Sequence, residues 1–230
     1  MKIHRGSDAI GSWAFQLLVS TEAPIEEQWH DALTGLRSCA EELCARGILL
    51  PTEATVERWR EFRPPDITTT TRDLSATLLA ELEALIGPAP ERGVLELNGD
   101  TRFDSLDGPR FVPGACELGV TVDSFSCWIR LSTYADIWMP YNVMAQSQWA
   151  VAELNAPRLR AALEAIEQIV GKPGYAEDSR FAKVDGYELR NHIVRGDVLD
   201  LQDMGYDESW IAERWPEPDP PDPPPGPAGA

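Results

Sequence analysis

Three histidines and four cysteines, set among thirty-eight Asp and Glu, are the groups from which this 230-residue chain could assemble a reactive centre. The histidines His4, His30 and His192 never pair: HExxH is absent, and Glu26 with His30 is an i,i+4 pair on a helix surface that lacks the further ligands zinc requires. His192, within Glu188-Leu189-Arg190-Asn191-His192, has the chemistry of a general base with carboxylates nearby. Cys116 or Cys127 beside a histidine would make a nucleophile, yet each sits in an alternating apolar segment where a thiol serves as a small core residue. No CxxC occurs, and Cys39 and Cys44, five apart in a helical pattern, point to different faces; reduced thiols in a cytoplasmic protein are expected. The carboxylates Asp197, Asp200, Asp203, Asp207 and Glu208 recur in steps of about three, whereas a calcium loop needs oxygens at alternate positions and a turn glycine. They are read as a solvated face or as a surface that receives Lys and Arg from another protein, with a divalent-ion site as the third option. No metal or other cofactor is expected.

The common phosphate and hydrolase motifs are missing. Gly171-Lys172 resembles the end of a P-loop, but Ile166 holds the earlier glycine position and no Ser or Thr follows the lysine. GxGxxG and GxSxG are absent as well, which removes the backbone cradle for pyrophosphate and the strained serine elbow. Aromatic residues are more informative. The chain has eight tryptophans, and Tyr134, Trp138 and Tyr141 surround Asp136 and Pro140. Core packing accounts for most of them, while a Tyr-Trp-Tyr cluster among carboxylates is also a composition that receives a basic partner's anchors. The expected partner-binding residues are therefore Tyr134, Asp136, Trp138 and Tyr141, with Asp197, Asp200, Asp203 and Asp207.

Charge points the same way. Twenty Lys and Arg against thirty-eight Asp and Glu give −18, which repels nucleic acid and anionic membrane and attracts basic proteins. Residues 1–8 are polar, no apolar stretch with a small-residue cleavage site follows, and no run approaches the ~18 apolar residues of a membrane helix.

The elements that must position these residues follow from periodicity. Residues 12–19 have strand composition; residues 24–46 form a helix through Ile25, Trp29, Leu33, Leu36, Ala40 and Leu43, stopped by Gly47. Residues 51–65 are ambiguous between a helix facing Val56, Trp59 and Phe62 and an extended arm. Thr71 or Asp73 caps a helix along Leu74, Leu78, Leu82, Leu85 and Ile86, closed by Gly87-Pro88. Val94–Leu97 reads as a short strand entering a tight turn at Asn98-Gly99, and residues 104–108 as a turn without chemistry. Residues 117–123 and 125–134 alternate as adjacent antiparallel strands, and residues 135–144 are a third extended piece that Pro140 confines to a strand end or edge. Asn155 caps a helix with Pro157 in its first turn and a stripe of Leu159, Leu163, Ile166 and Val170. Residues 209–215 form a short helix. Eight of the fifteen residues from Pro216 are proline, so 216–230 is expected as a disordered, extended tail, with a proline-reading groove as its potential receptor. The whole reads as one α+β domain over 1–215: an antiparallel sheet covered on one face by about three amphipathic helices.

The stretch Ser132-Thr133-Tyr134-Ala135-Asp136-Ile137-Trp138-Met139-Pro140-Tyr141, followed by Asn155-Ala156-Pro157-Arg158-Leu159, resembles a strand-end and helix-start pattern of uncharacterised bacterial toxin-immunity-type proteins. The resemblance covers residues 117–171, with Asn142 where an acidic residue often follows the tyrosine. It implies an acidic cytoplasmic protein that neutralises a basic toxin domain by contact, and it transfers no active site. Two other classes stay open: a small metal-dependent or His/carboxylate enzyme around His192, and a scaffold module tethered by its proline-rich tail.

Overall fold

The computed structural model describes residues 9–20, 22–59, 65–71, 78–123 and 125–214. The expectations for His4, Phe62, Asp73, Leu74 and residues 215–230 lie outside them. In chain order the elements are β1 (Gly11–Leu17), α1 (Ile25–Ala45), β2 (Leu50–Trp59), β3 (Asp66–Thr71), α2 (Leu78–Ile86), β4 (Arg92–Ser105), β5 (Gly108–Asp123), β6 (Ser126–Thr133), α3 (Trp149–Val170), β7 (Tyr175–Ala176), β8 (Ala182–Asp185), β9 (Glu188–Asn191), β10 (Ile193–Val194), β11 (Asp197–Val198) and α4 (Glu208–Arg214). Seven strands form one sheet in the order β3-β2-β4-β5-β6-β1-β7, and every neighbouring pair is antiparallel. The fold is α+β, with α1, α2 and α3 on one face of the sheet.

Alternation explains that one-sided cover. One inward row runs Val56–Leu95–Val120–Ile129–Phe15 across five strands, and the next runs Ala54–Leu97–Leu118–Leu131–Trp13. All ten side chains are buried, each large one contributing about 1.5–3 kcal/mol on removal from water. Against them α1 lays Trp29, Leu33, Leu36, Ala40 and Leu43, the stripe its periodicity prescribes, and α3 lays Leu159, Leu163, Ile166 and Val170. Gly47 ends α1 region at φ +66°, and Gly171 closes α3 in the left-handed region at φ +79°.

Several expectations are corrected. Of the two readings of residues 51–65 the extended one holds through strand β2, and Thr71, expected as a helix cap, is the last residue of strand β3. Asn98-Gly99 is no turn: β4 passes straight through it, and the tight connection is Leu106-Asp107, before Gly108 at φ +117°. Gly99 serves close approach instead. A Cβ there would lie 2.2 Å from the Leu50 carbonyl oxygen, at a place where the registers of β4 with both neighbours shift. Residues 135–144 are not a strand; an isolated bridge between Tyr141 and Ser147 is their sheet-like pairing. Finally, α3 starts at Trp149, so Asn155 is a buried interior residue and Pro157 lies inside the helix, where its ring removes the amide that would bond the Glu153 carbonyl.

Candidate functional site

The Tyr-Trp-Tyr cluster is divided among three environments. After β6 the chain enters a loop, residues 134–148, held by its own polar side chains. The Asp136 carboxylate accepts the Val143 N–H at 3.0 Å, and Trp138 Nε1 donates to Thr133 Oγ1 at 2.8 Å. Gln148 Nε2 donates to the carbonyls of Asp136 (2.6 Å) and Met139 (3.0 Å), and Asn142 Oδ1 accepts the amides of Met144 and Gln146, both at 3.0 Å. Asp136 is 0% and Trp138 1% exposed, so neither presents a surface that a partner can touch; both belong to the internal frame of the loop. Tyr134 stays on the outer side of the sheet, where its half-buried hydroxyl donates to Glu117 at 3.4 Å. Tyr141 faces the opposite way, into a groove.

That groove is a cavity of about 770 Å³ between α3, the β8–β9 hairpin and the loop, within the ~300–1,000 Å³ range of ligand pockets. Trp138 and Leu159 underlie it, and Tyr141, Trp149, Tyr187 and Ile193 line its apolar walls. The Tyr141 and Trp149 rings meet edge to face, 76° apart with centroids separated by 6.1 Å. Three clamps fix its width. Asn191 of β9 holds the Tyr141 peptide, accepting its N–H at 3.1 Å and donating to its carbonyl at 2.7 Å. Arg160 of α3 pairs with Glu188 of β9 at 2.9 Å. The Tyr187 hydroxyl donates to Glu167 of α3 at 2.6 Å and accepts the Gly174 N–H at 2.9 Å. Burial, then the bond to Glu167, pushes the Tyr187 phenol up to about 12, so it remains a neutral donor.

The rim of the groove is polar. Arg160 is engaged by Glu164 and Glu188, and Arg190 by Asp185 and Glu188. Lys183, exposed on β8, has no carboxylate partner among the described residues. Sequence reasoning missed Trp149, Lys183, Tyr187 and Asn191, because the groove exists only once a short, weakly patterned hairpin folds against α3. Within the run 182–191, Val184 and Leu189 on either side of Asp185-Gly186 were the signal that could have revealed that hairpin.

The other face of the sheet carries the charge. Opposite the buried rows, the outward positions are Glu53, Thr55, Glu57 and Trp59 on β2, Arg92, Val94, Glu96 and Asn98 on β4, and Glu117, Gly119, Thr121 and Asp123 on β5. Ser126, Trp128, Arg130 and Ser132 follow on β6, then Ser12, Ala14 and Gln16 on β1. Among the described residues, five carboxylates thus share this face with two arginines, Arg130 and Arg92, the latter lying over the Trp59 ring at 5.2 Å. Trp128 is 37% exposed and Phe125, in the β5–β6 turn, 87% exposed. Glu117 and Asp123 were legible as the off-phase positions of a segment read for its apolar phase, whereas Glu53 and Glu57 lie in the segment that fits a helix as well as a strand.

The acidic C-terminal segment is a series of turns. Asp197 pairs in β11 after a turn in which Arg195 and Gly196 both have positive φ. Asp200 and Asp203 accept one another's amides at 2.9 and 3.2 Å, and Asp207 caps α4 by accepting the Trp210 N–H at 2.8 Å and the Ser209 hydroxyl at 2.6 Å. Asp197, Asp203 and Asp207 are exposed and Asp200 half-buried. Among the described residues no group of three or more His, Cys, Asp and Glu converges as a metal site. His192 Nε2 lies 2.8 Å from the Ser179 carbonyl, to which it donates, and His30 faces Glu83 of α2 at 3.8 Å rather than Glu26. All four cysteines are unpaired; burial pushes Cys39 and Cys127 up to about 12 and Cys116 higher still, which keeps them as thiols. No helix of the described residues is long and apolar enough to cross a membrane.

No protein-family model matches the chain, and neither a curated protein nor a solved structure shows significant similarity to it.

Proposed function

We propose that the chain is a non-enzymatic binding protein that receives a basic protein partner on the outer face of its sheet. The observation that carries this reading is the charge of that face: among the described residues, Glu53, Glu57, Glu96, Glu117 and Asp123 stand against Arg92 and Arg130, with Trp128 and Phe125 exposed beside them. Carboxylates at this density steer a cationic surface during encounter, and desolvated aromatic contacts then set the residence time. The acidic segment Asp197, Asp200, Asp203 and Asp207 adds to the long-range field. In its finer form the reading is an immunity-type protein of the cytoplasm that neutralises a basic toxin domain by direct contact; unpaired thiols with raised pKa fit a reducing compartment.

The test is recovery of partners from native lysate and secretome by the full-length chain and by a Glu57→Lys/Asp123→Lys variant, followed by association kinetics of the recovered protein. Raising salt from about 0.05 to about 0.5 M shortens the screening length from roughly 14 to roughly 4 Å. A basic partner whose association slows at least tenfold over that range, and which the variant fails to retain, supports the reading. Equal rates at both salt concentrations, or equal retention by the variant, would sink it.

A further inference from the structure

We propose that the groove between α3 and the β8–β9 hairpin binds a small zwitterion, with a quaternary ammonium group at one end, a carboxylate at the other and an apolar segment between them. The inference rests on the groove and not on the outer sheet face, so it and the proposed function fail separately.

The charges of the groove are the first observation. Five charged side chains line it, Glu153, Arg160, Lys183, Glu188 and Arg190. Three of them are already engaged: Arg160 pairs with Glu164 and Glu188, and Arg190 with Asp185 and Glu188. Glu153 on α3 and Lys183 on β8 remain, both exposed and neither with an ion-pair partner among the described residues. They belong to opposite walls and carry opposite signs. A simple anion would be drawn to Lys183 and repelled by Glu153, and a simple cation the reverse; a ligand with one charge of each sign satisfies both.

The aromatic corner beside Glu153 is the second. Trp149 precedes Glu153 by four residues on α3, so the two share one face of the helix, and the Glu153 side chain leans back toward the tryptophan. The Trp149 ring is 53% exposed and stands at 76° to the Tyr141 ring, with centroids 6.1 Å apart. A cation lodged in the angle between them meets both ring faces within the ~6 Å over which the quadrupole attracts it, and methyl groups on that cation pack against the rings as an apolar surface. Pro157 lines the same wall and deprives the Glu153 carbonyl of its helical donor, which adds the negative end of a dipole there.

The third is the surface between the two ends. Ala156, Leu159 and Leu189 line it over Trp138. The polar groups of the hairpin side are committed elsewhere, Asn191 to the Tyr141 peptide and the Tyr187 hydroxyl to Glu167 and Gly174. A polar middle would therefore lose water without a replacement bond, whereas methylenes gain from burial.

The experiment titrates the full-length ¹⁵N-labelled chain with ω-(trimethylammonio)alkanoates of rising length, with tetramethylammonium, and with the carbon isosteres in which tert-butyl replaces the ammonium group. Saturable shifts of the Trp149 indole N–H and of the Lys183 and Arg190 amides are expected, with affinity peaking at one length. At that length the zwitterion should bind at least about fivefold tighter than its carbon isostere and than tetramethylammonium. Glu153→Gln should weaken the zwitterion and tetramethylammonium by about fivefold each, while Lys183→Gln weakens the zwitterion alone and leaves tetramethylammonium as tight or tighter. Both variants alter exposed side chains, and amide spectra report whether the fold is retained. No saturable shift at the groove with any length overturns the proposal. Equal affinity for the carbon isostere overturns the ammonium site, and a zwitterion no tighter than tetramethylammonium at every length overturns the pairing with Lys183.

Discussion

Replacing Asn155 with alanine tests the claim that the Asn155–Leu159 motif is architectural. Asn155 is fully buried one and a half turns into α3, and its amide acts as a surrogate strand neighbour for Asp104 at the end of β4. Oδ1 accepts the Asp104 N–H at 2.9 Å, and Nδ2 donates to the Asp104 carbonyl at 2.8 Å and the Val151 carbonyl at 2.7 Å. Arg158 Nη1 donates to the same Oδ1 at 2.8 Å while its other nitrogen bonds the Arg102 carbonyl at 3.1 Å and the Arg46 carbonyl, tying β4 to the end of α1. At ~0.5–1.5 kcal/mol net per bond, the loss of these four comes to about 2–6 kcal/mol, with the upper part reached if the Asp104 peptide is left without water. For a domain of this size ~1 kcal/mol lowers Tm by about 2–4 °C, so Asn155→Ala should melt roughly 6–12 °C lower for a loss of ~3 kcal/mol. Asn155→Asp keeps the acceptor beside Arg158 but loses both donors and should fall between alanine and the parent. Urea denaturation with a two-state fit reads both variants. A loss below about 1 kcal/mol for the alanine variant would refute the clamp and return Asn155 to an interchangeable helix position.

Gly99→Ala forces a methyl group against the Leu50 backbone, which cannot yield as a side chain would; a loss of at least ~3 kcal/mol is expected, read by urea midpoint, and a nearly silent substitution would contradict the close approach of β2 and β4. The buried thiols predict an alkaline limit. Because burial raises Cys39 and Cys127 to about 12, their contribution is complete below the unfolded thiol value of ~8.5 and is lost as pH rises from there through about 12. Urea midpoints at rising pH should therefore fall across that window, and less steeply once both cysteines are serine; in the native state neither thiol should react with a thiol reagent at neutral pH. Asp207 predicts an acid effect at α4. The Ser209 hydroxyl, then the Trp210 amide, holds its carboxyl below the ordinary value, so the cap is present above the ordinary carboxylate pKa and lost as pH falls through the lowered one. The Trp210 amide should shift in that acid range and in Asp207→Ala at neutral pH, and no shift in either would remove the cap.

Much of the frame was legible because one-sided burial writes a period into the chain. The inward rows through Val120 and Ile129 alternate visibly, and the stripe from Trp29 to Leu43 repeats at helical steps, so an antiparallel sheet under helices follows from patterning, whereas Val56 stands in a segment whose period fits a helix as well. What misled was local chemistry with two uses. Asn98-Gly99 has the composition of a hairpin turn, but its glycine answers to a neighbouring backbone; Asn155-Ala156-Pro157 has the composition of a helix start, but its asparagine is spent on another strand. The Tyr134–Tyr141 segment looked like one cluster because its members are adjacent in sequence. Without regular structure to enforce a period, Tyr134, Trp138 and Tyr141 point to the sheet face, the interior and the groove in turn.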